Sequence, residues 1–234
     1  MRYAIYYTPD RTDPLTRVAA RWLGRDAFTG EALAPQAVGP LSAAEIAYHT
    51  APPRRYGFHA TLKAPFRLAE GTGEAELLAA LDEFAAGREP FAVPLVVGRL
   101  AGFHALVPRE PAPALADLAA AVVCGFERFR APLTPAEIAR RNPDGLSGEE
   151  LKNLHKWGYP HVFEAFRFHM TLTGRVDAAE SRRVRSALES RFGPVLAAPQ
   201  PIASIALFVE PEPGAPFRVR AFRRLGRESE RKTA

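Results

Sequence analysis

The sequence predicts an α+β fold of two pseudo-twofold-related lobes. Each lobe is an antiparallel sheet with helices on its outer face, and two matching strands look onto a central cleft. Three observations lead there. The tetrapeptide His-x-Thr-Leu occurs twice, as His59-Ala60-Thr61-Leu62 and His169-Met170-Thr171-Leu172, each time after a phenylalanine. Each copy is followed by the same order of signals: strand, helix, strand, strand. Strand-like wording resumes at Val93 and at Ala203, 34 residues after the motif histidine in both halves. The intervening residues barely match, so the plan repeats and the wording does not.

In chain order, residues 2–8 alternate as a strand and end at Pro9. Asp13-Pro14 opens a helix that runs to Leu23, with Gly24 as its stop. Residues 25–40 are loop. Ser42 and Glu45 form a capping box for a short helix to about Tyr48. The first motif strand, residues 56–66, puts His59, Thr61 and Lys63 on one face and Phe58, Ala60 and Leu62 on the other, with Pro65 limiting it. Residues 73–86 are helical, 91–100 and 103–107 are strands, and 113–129 form a long apolar helix. Residues 131–160 change texture and read as a linking segment over the site. Its Trp157 and Tyr159 are expected to pack that segment. The second motif strand, residues 166–175, alternates Arg167, His169, Thr171, Thr173 and Arg175 against Phe166, Phe168, Met170 and Leu172. A helix over 178–192 and strands over 202–210 and 217–222 complete the repeat. All 234 residues are therefore expected in one bilobal domain, with lobe 1 at about 50–130, lobe 2 at about 161–225 and the N-terminal strand and helix completing them.

Composition bounds the function. Apolar residues are 47% and charged residues 24%, as in a globular protein, and the net charge is +5. That charge admits an anionic substrate. Much of it lies between Arg218 and Lys232, where a solvated tail is expected. Cys124 is the only cysteine, so intrachain disulfides and CxxC metal sites are excluded; in its apolar run it is expected to be a buried thiol. No apolar stretch suits a signal sequence or a bilayer span, so no membrane partner is expected and the protein reads as cytoplasmic. Oligomeric state is not encoded legibly.

Two imidazoles and two threonine hydroxyls in one cleft suit acid–base chemistry at a phosphodiester. One neutral His takes a proton from the attacking oxygen, the other gives one to the leaving oxygen, and the hydroxyls donate to non-bridging oxygens. His59, Thr61, His169 and Thr171 are thus the catalytic candidates. Lys63 and Arg167, on the same faces, are candidates to hold phosphate, and Tyr56 with Arg54 or Arg55 to contact a second one. Neither Tyr3 nor Tyr6, on opposite faces of the first strand, is preferred for the cleft. His49, His104, His155 and His161 show no ligand spacing, so no metal and no cofactor is expected. No Walker, G-x-G-x-x-G or G-x-S-x-G motif is present.

Paired H-x-T strands in such a chain resemble the 2H phosphoesterase superfamily, which includes RNA 2′,3′-cyclic phosphodiesterases and ligase-like relatives. The strings 55–66 and 166–174 resemble its bacterial branch associated with phosphonate metabolism and the carbon–phosphorus lyase pathway. The resemblance spans Arg2 to about Leu225. It implies a metal-independent phosphodiesterase with His59 and His169 as acid and base and Thr61 and Thr171 on the phosphate. Through phosphonate breakdown it implies a small sugar phosphate such as 5-phosphoribosyl 1,2-cyclic phosphate. The alternatives are an RNA-end phosphodiesterase, for which no aromatic-basic platform is evident, and a non-catalytic binder of phosphorylated ligands.

Overall fold

The computed structural model describes residues 1–226. Nine strands and seven helices follow one another as β1 (Arg2–Tyr7), α1 (Pro14–Leu23), α2 (Ala43–Arg54), β2 (Ala60–Phe66), α3 (Glu74–Ala86), β3 (Phe91–Val93), β4 (Leu95–Leu100), β5 (Phe103–Pro108), α4 (Pro113–Gly125), α5 (Pro135–Ala139), α6 (Gly148–Trp157), β6 (Met170–Arg175), α7 (Ala178–Phe192), β7 (Gln200–Ile202), β8 (Ser204–Glu210) and β9 (Arg218–Arg224). Local chemistry sets many of the ends. Asp13 caps α1 through the Leu15 N–H and Gly24 closes it in the left-handed region. Ser42 and Glu45 make the predicted reciprocal box, but α2 continues through Pro52 and Pro53 to Arg54. Pro94 lies between β3 and β4, where one strand is predicted.

Seven strands form one antiparallel sheet in the order β4-β5-β6-β2-β1-β8-β9. The motif strands β2 and β6 are neighbours at its middle, antiparallel and bridged where Ala60 meets Met170. Ala60↔Met170 is the one register pair between these two strands among the described residues. β3 and β7 pair separately as a two-stranded ribbon. The strand order interleaves elements from both sequence halves. β4 and β5, which follow the first motif, lie beside β6 of the second; β8 and β9, which follow the second, lie beyond β1 and β2.

One sheet face is covered by helices. Tyr3, Ile5 and Tyr7 of β1 point into this main core with Leu15 and Trp22 of α1, Leu81 of α3, Val122 of α4 and Leu188 of α7. Alternation sends Ala4 and Tyr6 to the opposite face, where they join Ala206, Phe208 and Phe217 in a smaller cluster. The open cleft lies on this second face.

Two expectations fail here. Cys124 is exposed: α4 buries Leu115, Leu118, Ala119, Val122 and Val123, and position 124 falls on the outer side of that stripe. The arginines from 218 to 224 belong to edge strand β9, where Arg220 pairs with Glu74 and Arg223 with Asp82. Residues 227–232 of the predicted tail lie outside the described residues. A charged edge strand resists pairing with other chains.

Candidate active site

His59 and His169 each stand just before their strand, and the polypeptide treats them alike. His59 Nδ1 lies 3.0 Å from the Gly57 carbonyl oxygen, and His169 Nδ1 lies 2.7 Å from that of Arg167. A carbonyl only accepts, so Nδ1 donates and carries the proton of the neutral ring. Both Nε2 atoms are left to the cleft as bases. The first arrangement depends on Gly57, whose φ of +77° suits glycine and where a Cβ would meet Ala27 Cβ at 2.5 Å.

His59, Thr61, His169 and Thr171 all line one cleft of about 930 Å³. Tyr6 forms its floor, stacked on the His59 imidazole with centroids 3.8 Å apart and planes 21° apart. Tyr56 joins the wall, stacked on Phe217. Burial lowers the His59 pKa from 6.5 to about 4; the Gly57 carbonyl opposes this, and the nearby His169 charge adds to it. His169 is lowered too, chiefly by burial, against the pull of the Arg167 carbonyl.

Three predicted contacts lie elsewhere. Lys63 is 3% exposed on the helix side of the sheet, where its Nζ donates to Glu127 Oε2 at 2.7 Å and to the Val123 carbonyl at 3.1 Å. The β1–β2 register slips between Tyr6↔Thr61 and Ile5↔Lys63, and again before Tyr3↔Phe66. This bulge breaks the alternation, so Lys63 turns away and Ala64 and Pro65 face the cleft. Arg54 folds back along α2, donating to the Leu23 and Ala47 carbonyls and to Thr50 Oγ1. Arg55 takes the cleft position. Arg167 is exposed, and its Nη1 donates to the carbonyls of Glu164 and Phe166. The chain before Met170 is not strand, so predicted alternation does not reach Arg167.

The cleft also holds side chains the sequence does not single out. Glu210, 1% exposed, receives Arg2 Nε at 2.5 Å and Arg55 Nη2. Burial alone would raise its pKa, but these bonds and the Gly214 N–H outweigh it and hold the carboxyl below the usual range. Glu137 of α5 receives Arg67 through both oxygens. Residues 133–141 and Tyr159 bring the linking segment to the cleft wall, while Trp157 packs edge-on against Phe163. Gly158, at φ +75°, ends α6 against the Arg130 side chain and turns the chain so that Tyr159 reaches the site. The signal for Glu210 was a carboxylate ending an otherwise apolar strand; for Tyr6 it was strand parity. Among the described residues, no group of three or more His, Cys, Asp or Glu is arranged to hold a metal ion. No helix among them is long and apolar enough to cross a membrane.

A family described as "Protein of unknown function (DUF1045)" matches residues 61–218. The chain belongs to that family. This DUF1045 chain is 39% identical over 221 residues to a protein of Janthinobacterium sp. (strain Marseille), covering 92% of the chain. It is 38% identical over 219 residues to one of Laribacter hongkongensis (strain HLHK9), covering 94%. Both relatives bear the name Ribose 1,5-bisphosphate phosphokinase PhnN, and the chain spans 49% and 50% of their lengths. Among solved structures, TT0787 of Thermus thermophilus overlaps 98% of the DUF1045 chain and 100% of its own at 16% identity and a TM-score of 0.44. E. coli LigT complexed with 3'-AMP overlaps 96% and 98% at 14% identity and a TM-score of 0.42.

Proposed function

We propose that the chain is a metal-independent phosphodiesterase that opens a cyclic phosphodiester on a small sugar phosphate. The observation that carries this is the symmetric pair of imidazoles, each held by its Nδ1–H on the carbonyl two residues back and each presenting Nε2 to the same cleft. His59, whose pKa burial lowers to about 4, is the general base, and His169 the general acid. Water attacks phosphorus as its proton passes to His59 Nε2. The bond from phosphorus to one ring oxygen breaks, and His169, entering the step as the imidazolium, gives its Nε2 proton to that oxygen as it leaves. The products are a phosphate monoester and a free hydroxyl, and proton exchange with water resets both rings. Thr61 and Thr171 donate to the non-bridging oxygens as charge grows on them.

The resemblance to 2H phosphoesterases supports this chemistry. The substrate is 5-phosphoribosyl 1,2-cyclic phosphate, formed in phosphonate breakdown and opened to a ribose bisphosphate. The relatives of twice the length support a ribosyl substrate, since their name concerns ribose 1,5-bisphosphate. Purified protein in excess chelator is expected to hydrolyse this compound, and His59→Ala and His169→Ala each to abolish the reaction. Loss of wild-type activity on chelation alone refutes the metal-free mechanism. The screen includes 2′,3′-cyclic nucleotides and RNA ends; preference for these transfers the assignment to RNA.

A further inference from the structure

Five arginines and two glutamates line the cleft, a formal +3. Arg2 and Arg55 are engaged by Glu210, and Arg67 by Glu137. Among the described residues, Arg140 and Arg141 make no salt bridge. Arg141 lies over the Tyr159 ring at 5.0 Å from its centroid. Arg141 and Tyr159 line the same cleft as Tyr6 and Tyr56. Tyr6 is the ring stacked on His59. The cleft wall therefore holds three phenols, two of them beside the His59 ring, and an arginine without a carboxylate partner. Neither Tyr6 nor Tyr159 hydrogen-bonds a side chain or backbone group among the described residues. Phenol O–H groups and a guanidinium are donors suited to the three oxygens of a phosphate monoester.

We propose that Arg141, with the hydroxyls of Tyr159 and Tyr6, forms a second anion subsite that takes a terminal phosphate monoester on the same molecule whose cyclic phosphodiester lies between His59 and His169. This rests on the proposed function and deepens it by naming what selects the substrate. The charges agree: a cyclic phosphodiester carries one negative charge and a monoester about −1.5 to −2, against the cleft's formal +3. Arg141 and Tyr159 both come from the segment spanning residues 131–160. That segment is therefore the specificity element, and the motif strands are the chemical one.

The test compares ribose 1,2-cyclic phosphate with and without a 5-phosphate, in wild type, Arg141→Ala and Tyr159→Phe. Wild type is expected to favour the phosphorylated compound by about 100-fold in kcat/KM, the scale of a charge-assisted contact. Arg141→Ala is expected to remove most of that preference through KM for the phosphorylated compound, and a thermal melt with the wild-type midpoint shows that the variant is folded. Tyr159→Phe is expected to give a partial loss. Direct calorimetric binding of ribose 5-phosphate, expected for wild type and for His169→Ala but not for Arg141→Ala, reads the subsite without catalysis. Equal hydrolysis of both compounds by wild type, or ribose 5-phosphate binding that survives Arg141→Ala, overturns the subsite. Binding that depends on Arg141 in a protein that hydrolyses neither compound supports the subsite and overturns the catalytic assignment.

Discussion

Replacing Lys63 by methionine separates two roles that the sequence superimposes. If Lys63 held phosphate, losing a hydrogen bond to a charged group would cost about 1.5–3 kcal/mol of transition-state stabilisation, or roughly 10- to 150-fold in kcat/KM, with the melting temperature unmoved. The structure places the same interaction under the sheet, between Nζ, Glu127 and the Val123 carbonyl. Orphaning a buried charge costs about 3–5 kcal/mol, but Glu127 would not be orphaned. Its side chain is 25% exposed and keeps Arg130 Nη2 at 2.5 Å and Nε at 2.9 Å on its other oxygen. Methionine also retains much of the buried stem. The expected loss is therefore about 1.5–3 kcal/mol of folding stability, set by the lost charged hydrogen bond. At about 2–4 °C per kcal/mol for a chain of this size, the midpoint falls by roughly 3–12 °C. Thermal melts and steady-state kinetics on one preparation decide. A tenfold or greater fall in kcat/KM with an unchanged midpoint refutes the placement of Lys63.

The pH–rate profile is expected to be bell-shaped, with its acid limb near the lowered His59 value of about 4; a limb at 6.5 or above counts against His59 as base. Stability follows the same group. The unfolded imidazole titrates near 6.5 and the folded one near 4, so the unfolded chain binds the proton first. The stabilisation is complete above about pH 6.5 and is lost as pH falls toward 4, with His169 and His104 acting in the same direction; urea melts across that window check it. Tyr6→Ala lets water reach the His59 ring, so the acid limb is expected to move upward, while Tyr6→Phe leaves it in place; identical profiles for the two variants remove the stacking argument. Gly57→Ala forces a side chain to φ +77° against Ala27 and is expected to cost about 1–3 kcal/mol. It also tilts the carbonyl that holds His59, so kcat falls along with the melting temperature.

Much of the plan is legible in the sequence because it is written in local chemistry. The box at Ser42 and Glu45, the Asp13 cap and the period of residues 178–192 depend on residues within a few positions of one another. The two motifs are legible because they repeat. Features that require a neighbour strand are not. The bulge that turns Lys63 away is a property of the pairing between β1 and β2, and no residue in β2 announces it alone. The same holds at β6, where Thr173 and Gly174 are extra residues opposite β5 and Thr173 Oγ1 accepts the His104 N–H. Arg54 and Arg55 differ only in which way the end of α2 turns. Arg141 and Tyr159 reach the cleft from a segment whose sequence shows short helices but not where they dock.

The crossed pairing of the sheet bears on how the two imidazoles come to coexist during synthesis. β1 emerges first, yet one of its two neighbours is β8, about 200 positions later, with Arg2 opposite Glu210. β4 and β5 must wait for β6. A ribosome that has released only the first motif holds β1 and β2, whose other neighbours β8 and β6 have not been made, so that fragment lacks half of the cleft. Contacts this distant along the chain close late and slow folding. Cutting the gene within residues 131–160 gives two fragments that are inert apart and can regain the cleft only by exchanging strands with each other.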